Sequence, residues 1–282
     1  MKAKRELPSA TSDAAESAHG AAPAVARQSM EADACVVGGE ISFELRGSAL
    51  VLRDAGRGET LFSMPEAKFC LPNFASGARL VSRECGDGAP MRLAYSGGTL
   101  ARGEVTVTPH GRGFLVRGEF TPREDVTVNR LDILPPGTTT LFYEANNYRN
   151  FHATDQVFER VVLGAGEFAC DTYSRDWQFA PHPTAMLFTR NNAHLLVGAT
   201  EPPVGGYGLY ASGGNWRFDR FYLHYGDGEW GWKIGAGETW RTPEFYFAFD
   251  RGGDVHGAWR LFAEDLVRDG RIADPARRRV VP

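Results

Sequence analysis

The chain has 282 residues, 43% of them hydrophobic and 12% aromatic, with 33 glycines. Its 31 basic and 35 acidic side chains leave a formal net charge of −4, which argues against a nucleic-acid partner, since that requires a basic face. Collagen, coiled coil and wholesale disorder are excluded, and glycine above its usual share of roughly 7% suits many strands joined by tight turns.

Residues 1–34 are rich in Ala, Ser, Glu and Asp. They hold too few large apolar groups to offset the entropy of ordering, so a disordered tail is expected. From Glu40 the period becomes two. Ile41, Phe43 and Leu45 alternate with Ser42, Glu44 and Arg46, which predicts a half-buried strand. Leu50-Val51-Leu52 follows Gly47-Ser48 as its return strand. Further strands are expected at 59–63, 78–83, 91–95, 103–108, 113–120, 126–134 and 139–143, with Pro135-Pro136-Gly137 as a breaker. The second half repeats the pattern at 157–163, 183–190, 193–199, 207–211, 217–225 and 244–250. Asn191-Asn192 is suited to a hairpin turn, because Asn tolerates positive φ. In 244–250, Phe245, Phe247 and Phe249 fall on one face and Tyr246 and Ala248 on the other, so both faces should be buried.

One helix is expected over 254–268. Val255, Trp259, Phe262, Ala263 and Leu266 form a single apolar stripe, with Asp254 as N-cap and Gly270 just past the end. Arg260, Glu264, Asp265 and Arg268 lie opposite, and 274–279 reads as a surface linker. Many short strands without interleaved helices mean an all-β protein of antiparallel sheets packed face to face. The expected organisation is a tail at 1–34, a sandwich at 35–253, and a helix with linker at 254–282.

No stretch approaches the roughly 18–20 apolar residues that cross a bilayer, so no membrane partner is expected. The basic start Met1–Arg5 is followed by no apolar run, unlike a secretory leader. Cys35, Cys70, Cys85 and Cys170 lack C-x-x-C spacing and read as reduced thiols of a cytoplasmic protein.

The segment 143–151 is an unusually polar and aromatic loop leaving a strand. The amides of Asn146 and Asn147 and the guanidinium of Arg149 can hold neighbouring hydroxyls through paired hydrogen bonds, while Tyr148 offers a flat apolar face. That mixture suits a sugar; the plainer reading is that the asparagines only shape a turn. Aromatics crowd 205–250, and most must be core. Trp216 beside Gly213-Gly214-Asn215, and Trp230 and Trp232 within Gly228-Glu229-Trp230-Gly231-Trp232, are placed to meet a ligand or to fold back over the sandwich edge.

The seven histidines show no H-x-x-x-H or H-E-x-x-H pattern, so neither a metal nor another cofactor is expected. There is no G-x-S-x-G elbow and no phosphate loop. Glycoside hydrolysis needs two carboxylates about 5–10 Å apart across a cleft. Asp155, Glu159, Asp171, Asp176, Asp219 and Glu229 could supply them, but spacing selects no pair. No catalytic residue is assigned.

Five pieces occur in a suggestive order: 141–151, the 185–200 hairpin, Gly235-Ala236-Gly237-Glu238-Thr239, Pro243-Glu244-Phe245 and the closing helix. Together they resemble the N-terminal β-supersandwich of α-galactosidase-like glycoside hydrolases, related to the melibiase and raffinose-synthase enzymes, over residues 40–282. The resemblance implies a galactose mutarotase-like fold preceding a catalytic (β/α) barrel and lending a loop to its sugar site. Here that loop reads Asn146-Asn147-Tyr148-Arg149, without the family's glycine and later Ser-Trp. The family's nucleophile and acid/base aspartates belong to the barrel and have no counterpart in these residues.

The resulting expectation is a carbohydrate-associated, non-catalytic sandwich, the N-terminal part or relic of such a hydrolase. Its sugar contacts would come from Asn146, Asn147, Tyr148, Arg149, Trp230 and Trp232, its partners would be a galactoside or related oligosaccharide and a barrel in cis or in trans, and an oligomer stays open. Two alternatives stand beside it. One is an aldose mutarotase or epimerase, with His152, His182, His194 and Glu229 as candidate acid and base. The other is a non-enzymatic interaction module.

Overall fold

The computed structural model describes residues 34–86, 88–152, 155–162, 168–171, 185–190, 192–200, 208–214, 217–226, 228 and 231–271. The expected tail, apart from Ala34, and the expected linker lie outside these residues. The first strands are β1 (Ala34–Gly38), β2 (Ile41–Arg46), β3 (Ala49–Asp54), β4 (Glu59–Met64), β5 (Leu71–Pro72), β6 (Arg79–Glu84) and β7 (Met91–Gly97). They continue as β8 (Leu100–His110), β9 (Gly113–Pro122), β10 (Val126–Val128), β11 (Arg130–Leu134), β12 (Thr139–Thr140), β13 (Glu144–His152) and β14 (Asp155–Val162). The last are β15 (Phe168–Asp171), β16 (Ala185–Arg190), β17 (Ala193–Ala199), β18 (Gly208–Gly214), β19 (Arg217–His224), β20 (Trp232–Ile234), β21 (Trp240–Arg241) and β22 (Phe245–Arg251). Among the described residues one α-helix, α1 (Val255–Arg268), follows, besides the 3-10 turns Pro65–Ala67 and Asn73–Ala75.

The fold is an all-β sandwich with antiparallel pairing throughout the described ladders. A ten-stranded sheet runs β14-β13-β16-β17-β22-β9-β8-β7-β6, with β21 added beside β9. Two five-stranded sheets, β1-β2-β3-β4-β12 and β15-β18-β19-β11-β5, face it, and β10 and β20 form a separate ribbon. Aromatic side chains knit the layers. Phe43 of β2 meets Phe114 of β9 edge-on at 5.0 Å and Phe247 of β22 at 5.9 Å. Phe188 of β16 meets Phe62 of β4 and Phe221 of β19, each at 5.3 Å and nearly perpendicular. Edge-to-face pairs add to area burial because ring edges are positive and faces negative.

The double-faced strand at 245–251 is as its alternation predicts. Phe245, Phe247 and Phe249 enter the main core, while Tyr246 and Ala248 join a second cluster under α1. There Ala258, Phe262 and Leu266 pack on Leu187, Leu196 and Tyr246. The N-cap is also observed: the Asp254 carboxylate accepts from the Gly257 backbone N–H at 2.6 Å. Asp265, expected on the solvent side, is instead 1% exposed. It accepts from Tyr246 Oη at 2.8 Å and from Arg112 Nε at 2.9 Å. The docked face is thereby rotated toward Ala258 and Asp265.

Three further expectations are corrected. β2 is buried on both faces, because Ser42 at 2.9 Å and the guanidinium of Arg46 at 2.6 Å, with Arg53 alongside, close over Glu44. The expected strand at 126–134 is two strands in different sheets. It breaks at Asn129, whose amide donates to the carbonyls of Gly226 and Gly228 and whose backbone N–H donates to Asn73 Oδ1. The strand at 139–143 shortens to Thr139–Thr140. Among the described residues no helix is long and apolar enough to cross a membrane.

Candidate functional site

The polar segment read as a loop is a strand. β13 pairs with β14 along its whole length, Asn146 opposite Arg160 and Tyr148 opposite Phe158. It pairs with β16 only from Glu144 to Asn147. The ladder carries polar positions because backbone groups, not side chains, make its bonds. Beyond Asn147 the described pairing of β13 is with β14. Successive strand positions turn to opposite faces, so positions 146 and 148 share one face and 147 and 149 the other. The side chains of these four lie outside the described residues. Trp230 does too. Trp232 lies in β20, opposite Val128 of β10, with 45% of its surface exposed. Among the described residues β20 pairs with β10, in a sheet separate from that of β13.

Of the other candidates, the side chains of His194 and Asp219 are described. His194 is buried in β17, its ring nitrogens 3.3 Å from Thr189 Oγ1 and 2.9 Å from the Gly253 carbonyl. That is a structural histidine bridging a strand to the approach of α1. His182, Asp176 and Glu229 lie outside the described residues, and so do the side chains of His152, Asp155, Glu159 and Asp171. Asp219 is paired with Arg220 Nε at 2.8 Å. Among the described residues no group of three or more His, Cys, Asp or Glu side chains could hold a metal ion.

A different surface gathers polar and aromatic groups. In the sheet β15-β18-β19-β11-β5, Leu209, Ala211, Phe221, Leu223, Leu131 and Ile133 point into the core. The alternate positions of the same strands carry Tyr210, Tyr222, His224, Arg130 and Asp132. Tyr210 and Tyr222 are cross-strand partners, with rings stacked at 5.4 Å and 13°. His224 stands edge-on to both. Asp132 lies opposite Tyr222 in register. Arg130 caps the Tyr222 ring at 5.9 Å and meets Asp132 Oδ1 through Nε at 2.8 Å. Burial pushes the Asp132 carboxyl above the usual carboxylate range, against the pull of Arg130 and Arg220. The surface can donate, accept and stack within a few residues. Composition alone does not separate these aromatics from the core aromatics of 205–250. The signal was present in β19, where Arg220, Tyr222 and His224 alternate with Phe221 and Leu223.

No protein-family profile matches the chain, and no curated protein matches it in sequence. Solved structures do share its fold. Alpha-N-acetylgalactosaminidase NagBb from Bifidobacterium bifidum, solved as a complex with GalNAc, matches 84% of this chain and 39% of its own, at TM-score 0.54 and 12% identity. Alpha-galactosidase AgaA from Geobacillus stearothermophilus matches 78% of this chain and 40% of its own, at TM-score 0.51 and 13% identity. A variant of AgaA in complex with stachyose matches 82% and 42%, at TM-score 0.52 and 12% identity. The chain thus spans about two fifths of the length of these enzymes. Its fold is the β-sandwich found as a part of α-galactosidase-like glycoside hydrolases.

Proposed function

We propose that this chain is a carbohydrate-associated, non-catalytic sandwich of an α-galactosidase-like glycoside hydrolase, galactose mutarotase-like in type. The observation that carries this reading is the sandwich shared with enzymes solved with GalNAc and with stachyose, at about two fifths of their length. Bond cleavage is assigned to a (β/α) barrel in cis or in trans, because two opposed carboxylates across a sugar cleft are what that chemistry needs. Asn146, Asn147, Tyr148 and Arg149 of β13, with Trp230 and Trp232, are the sugar contacts in this reading. The ligand class is a galactoside or related oligosaccharide, and the free thiols of Cys35, Cys70 and Cys85 suit the cytoplasm.

Assay of the chain alone on nitrophenyl α-galactoside and its N-acetylgalactosaminide tests the assignment. The expected result is no turnover by the chain alone, and turnover when a matching barrel is joined to it or added. Turnover by the chain alone, lost on substitution of one of its own carboxylates, contradicts the non-catalytic reading.

A further inference from the structure

Glu66, Ala67 and Cys70 have φ of 57°, 48° and 56°, and they are the non-glycine residues of positive φ among those described. All three lie in one short loop between β4 and β5. A side chain crowds the backbone there, and such residues persist only where the surroundings hold them in place. This loop is so held. Buried Tyr95 donates through Oη to the Ala67 carbonyl at 2.6 Å, and the Cys70 N–H donates to the Ile133 carbonyl. Strain of this kind concentrates where a fold fixes the shape of a binding surface.

The strained loop walls a cavity of about 390 Å³, within the roughly 300–1,000 Å³ of small-molecule sites. Pro65, Pro72, Pro135 and Pro136 supply rigid apolar walls, and Arg130, Asp132 and Arg220 line it from the five-stranded sheet. Charge decides what such a cavity can hold. Lys68 is paired with Glu66 at 2.7 Å, Arg130 with Asp132 at 2.8 Å and Arg220 with Asp219 at 2.8 Å. Each cation has its own anion, so no surplus field selects a phosphate, a carboxylate or a metal ion. What remains is a dense set of donors and acceptors between flat apolar walls. A neutral ring with adjacent hydroxyls fits that set. A hydroxyl can donate to the Asp132 carboxylate while accepting from a neighbouring guanidinium, and the ring's C–H faces can rest on the prolines.

We propose that this cavity is a binding site for one neutral pyranose unit, with Asp132 and Arg220 holding its hydroxyls and the proline walls its apolar face. The proposal rests on the sugar-associated reading only for its choice of probe. It concerns a surface separate from β13 and Trp232, and it requires nothing beyond this chain.

Ligand-observed saturation-transfer NMR on the full chain tests it, with galactose, N-acetylgalactosamine, galacturonate and inorganic phosphate as probes. The neutral sugars should give transfer, galacturonate should do no better than galactose, and phosphate should not compete. Asp132→Asn and Arg220→Gln should each weaken the sugar at least about tenfold, as loss of a hydrogen bond to a charged group does, while Arg241→Gln, at an exposed ion pair with Glu119 away from the cavity, leaves it unchanged. Thermal melts identify a variant that has lost its fold, and the other variant then decides. Sugar binding that survives both cavity substitutions but falls with Tyr148→Ala or Trp232→Ala overturns the cavity while leaving the sugar-associated reading in place. Binding seen only once a barrel is supplied does the same. Tighter binding of galacturonate or phosphate makes this an anion site and overturns the proposal.

Discussion

Two half-hidden carboxylates, Glu44 and Asp132, are driven in opposite directions by their neighbours. Burial alone would raise Glu44, but the Ser42 hydroxyl and the Arg46 and Arg53 guanidinia outweigh it and hold its carboxyl below the usual range. A lowered native pKa contributes stability above the unfolded value of about 4.3 that is lost as pH falls through the native one. Glu44→Gln is therefore expected to be less stable than the parent at neutral pH, and the gap should close on acidification in urea titrations. For Asp132 the sign reverses. Its native form holds a proton more tightly than the unfolded chain, so its contribution falls as pH rises through the raised pKa. The stability difference between Asp132→Asn and the parent should shift toward the variant across that rise. Neither environment could be read from alternation alone. Period two places Arg46 beside Glu44 and Arg130 beside Asp132, but not Arg53 and Arg220, which come from neighbouring strands.

At the scale of single elements, α1 and β13 mark what patterning can and cannot reveal. The helix, its Asp254 cap and its place after β22 follow from apolar spacing. The rotation of its docked face does not, because Asp265 is buried for the sake of Tyr246 and of Arg112, which lies 153 residues earlier. Asp265→Ala leaves Arg112 and the buried Tyr246 hydroxyl without this partner. It should cost about 3 kcal/mol in urea denaturation, the lower end for breaking a buried charged pair. β13 was hidden for another reason. Its asparagines at 146, 147 and 150 favour turns, yet the ladder to β14 satisfies the backbone whatever the side chains are. The split at Asn129 likewise depends on carbonyls 97 and 99 residues away.

Across the whole molecule, alternating strands with no helix between them were enough to place the chain as an antiparallel sandwich. Sheet order was not legible: β8 and β9 form a local hairpin, but β9 pairs on its other side with β22, which no local pattern encodes. That junction is tightly built. A Cβ at Gly113 would stand 1.7 Å from the Phe247 carbonyl oxygen, so Gly113→Ala must push β9 from β22. It is expected to destabilise by about 3 kcal/mol or to prevent folding, the upper end of overpacking costs, as read by chemical denaturation. Phe247→Ala, which opens the centre of the same core, should cost about 3–5 kcal/mol. The polar and aromatic face of β18 and β19 was legible in part, through the alternation of Arg220, Tyr222 and His224, whereas the cavity beside it required the strained turn at Glu66–Cys70, which composition does not reveal.

Calorimetric titration of the full chain with galactose, raffinose and stachyose, set against a non-sugar polyol, bears most directly on the association with carbohydrate. Saturable heat with the galactosides and none with the polyol is the expected result. Flat isotherms for every sugar, both for the chain alone and for the chain joined to a catalytic barrel, would contradict it.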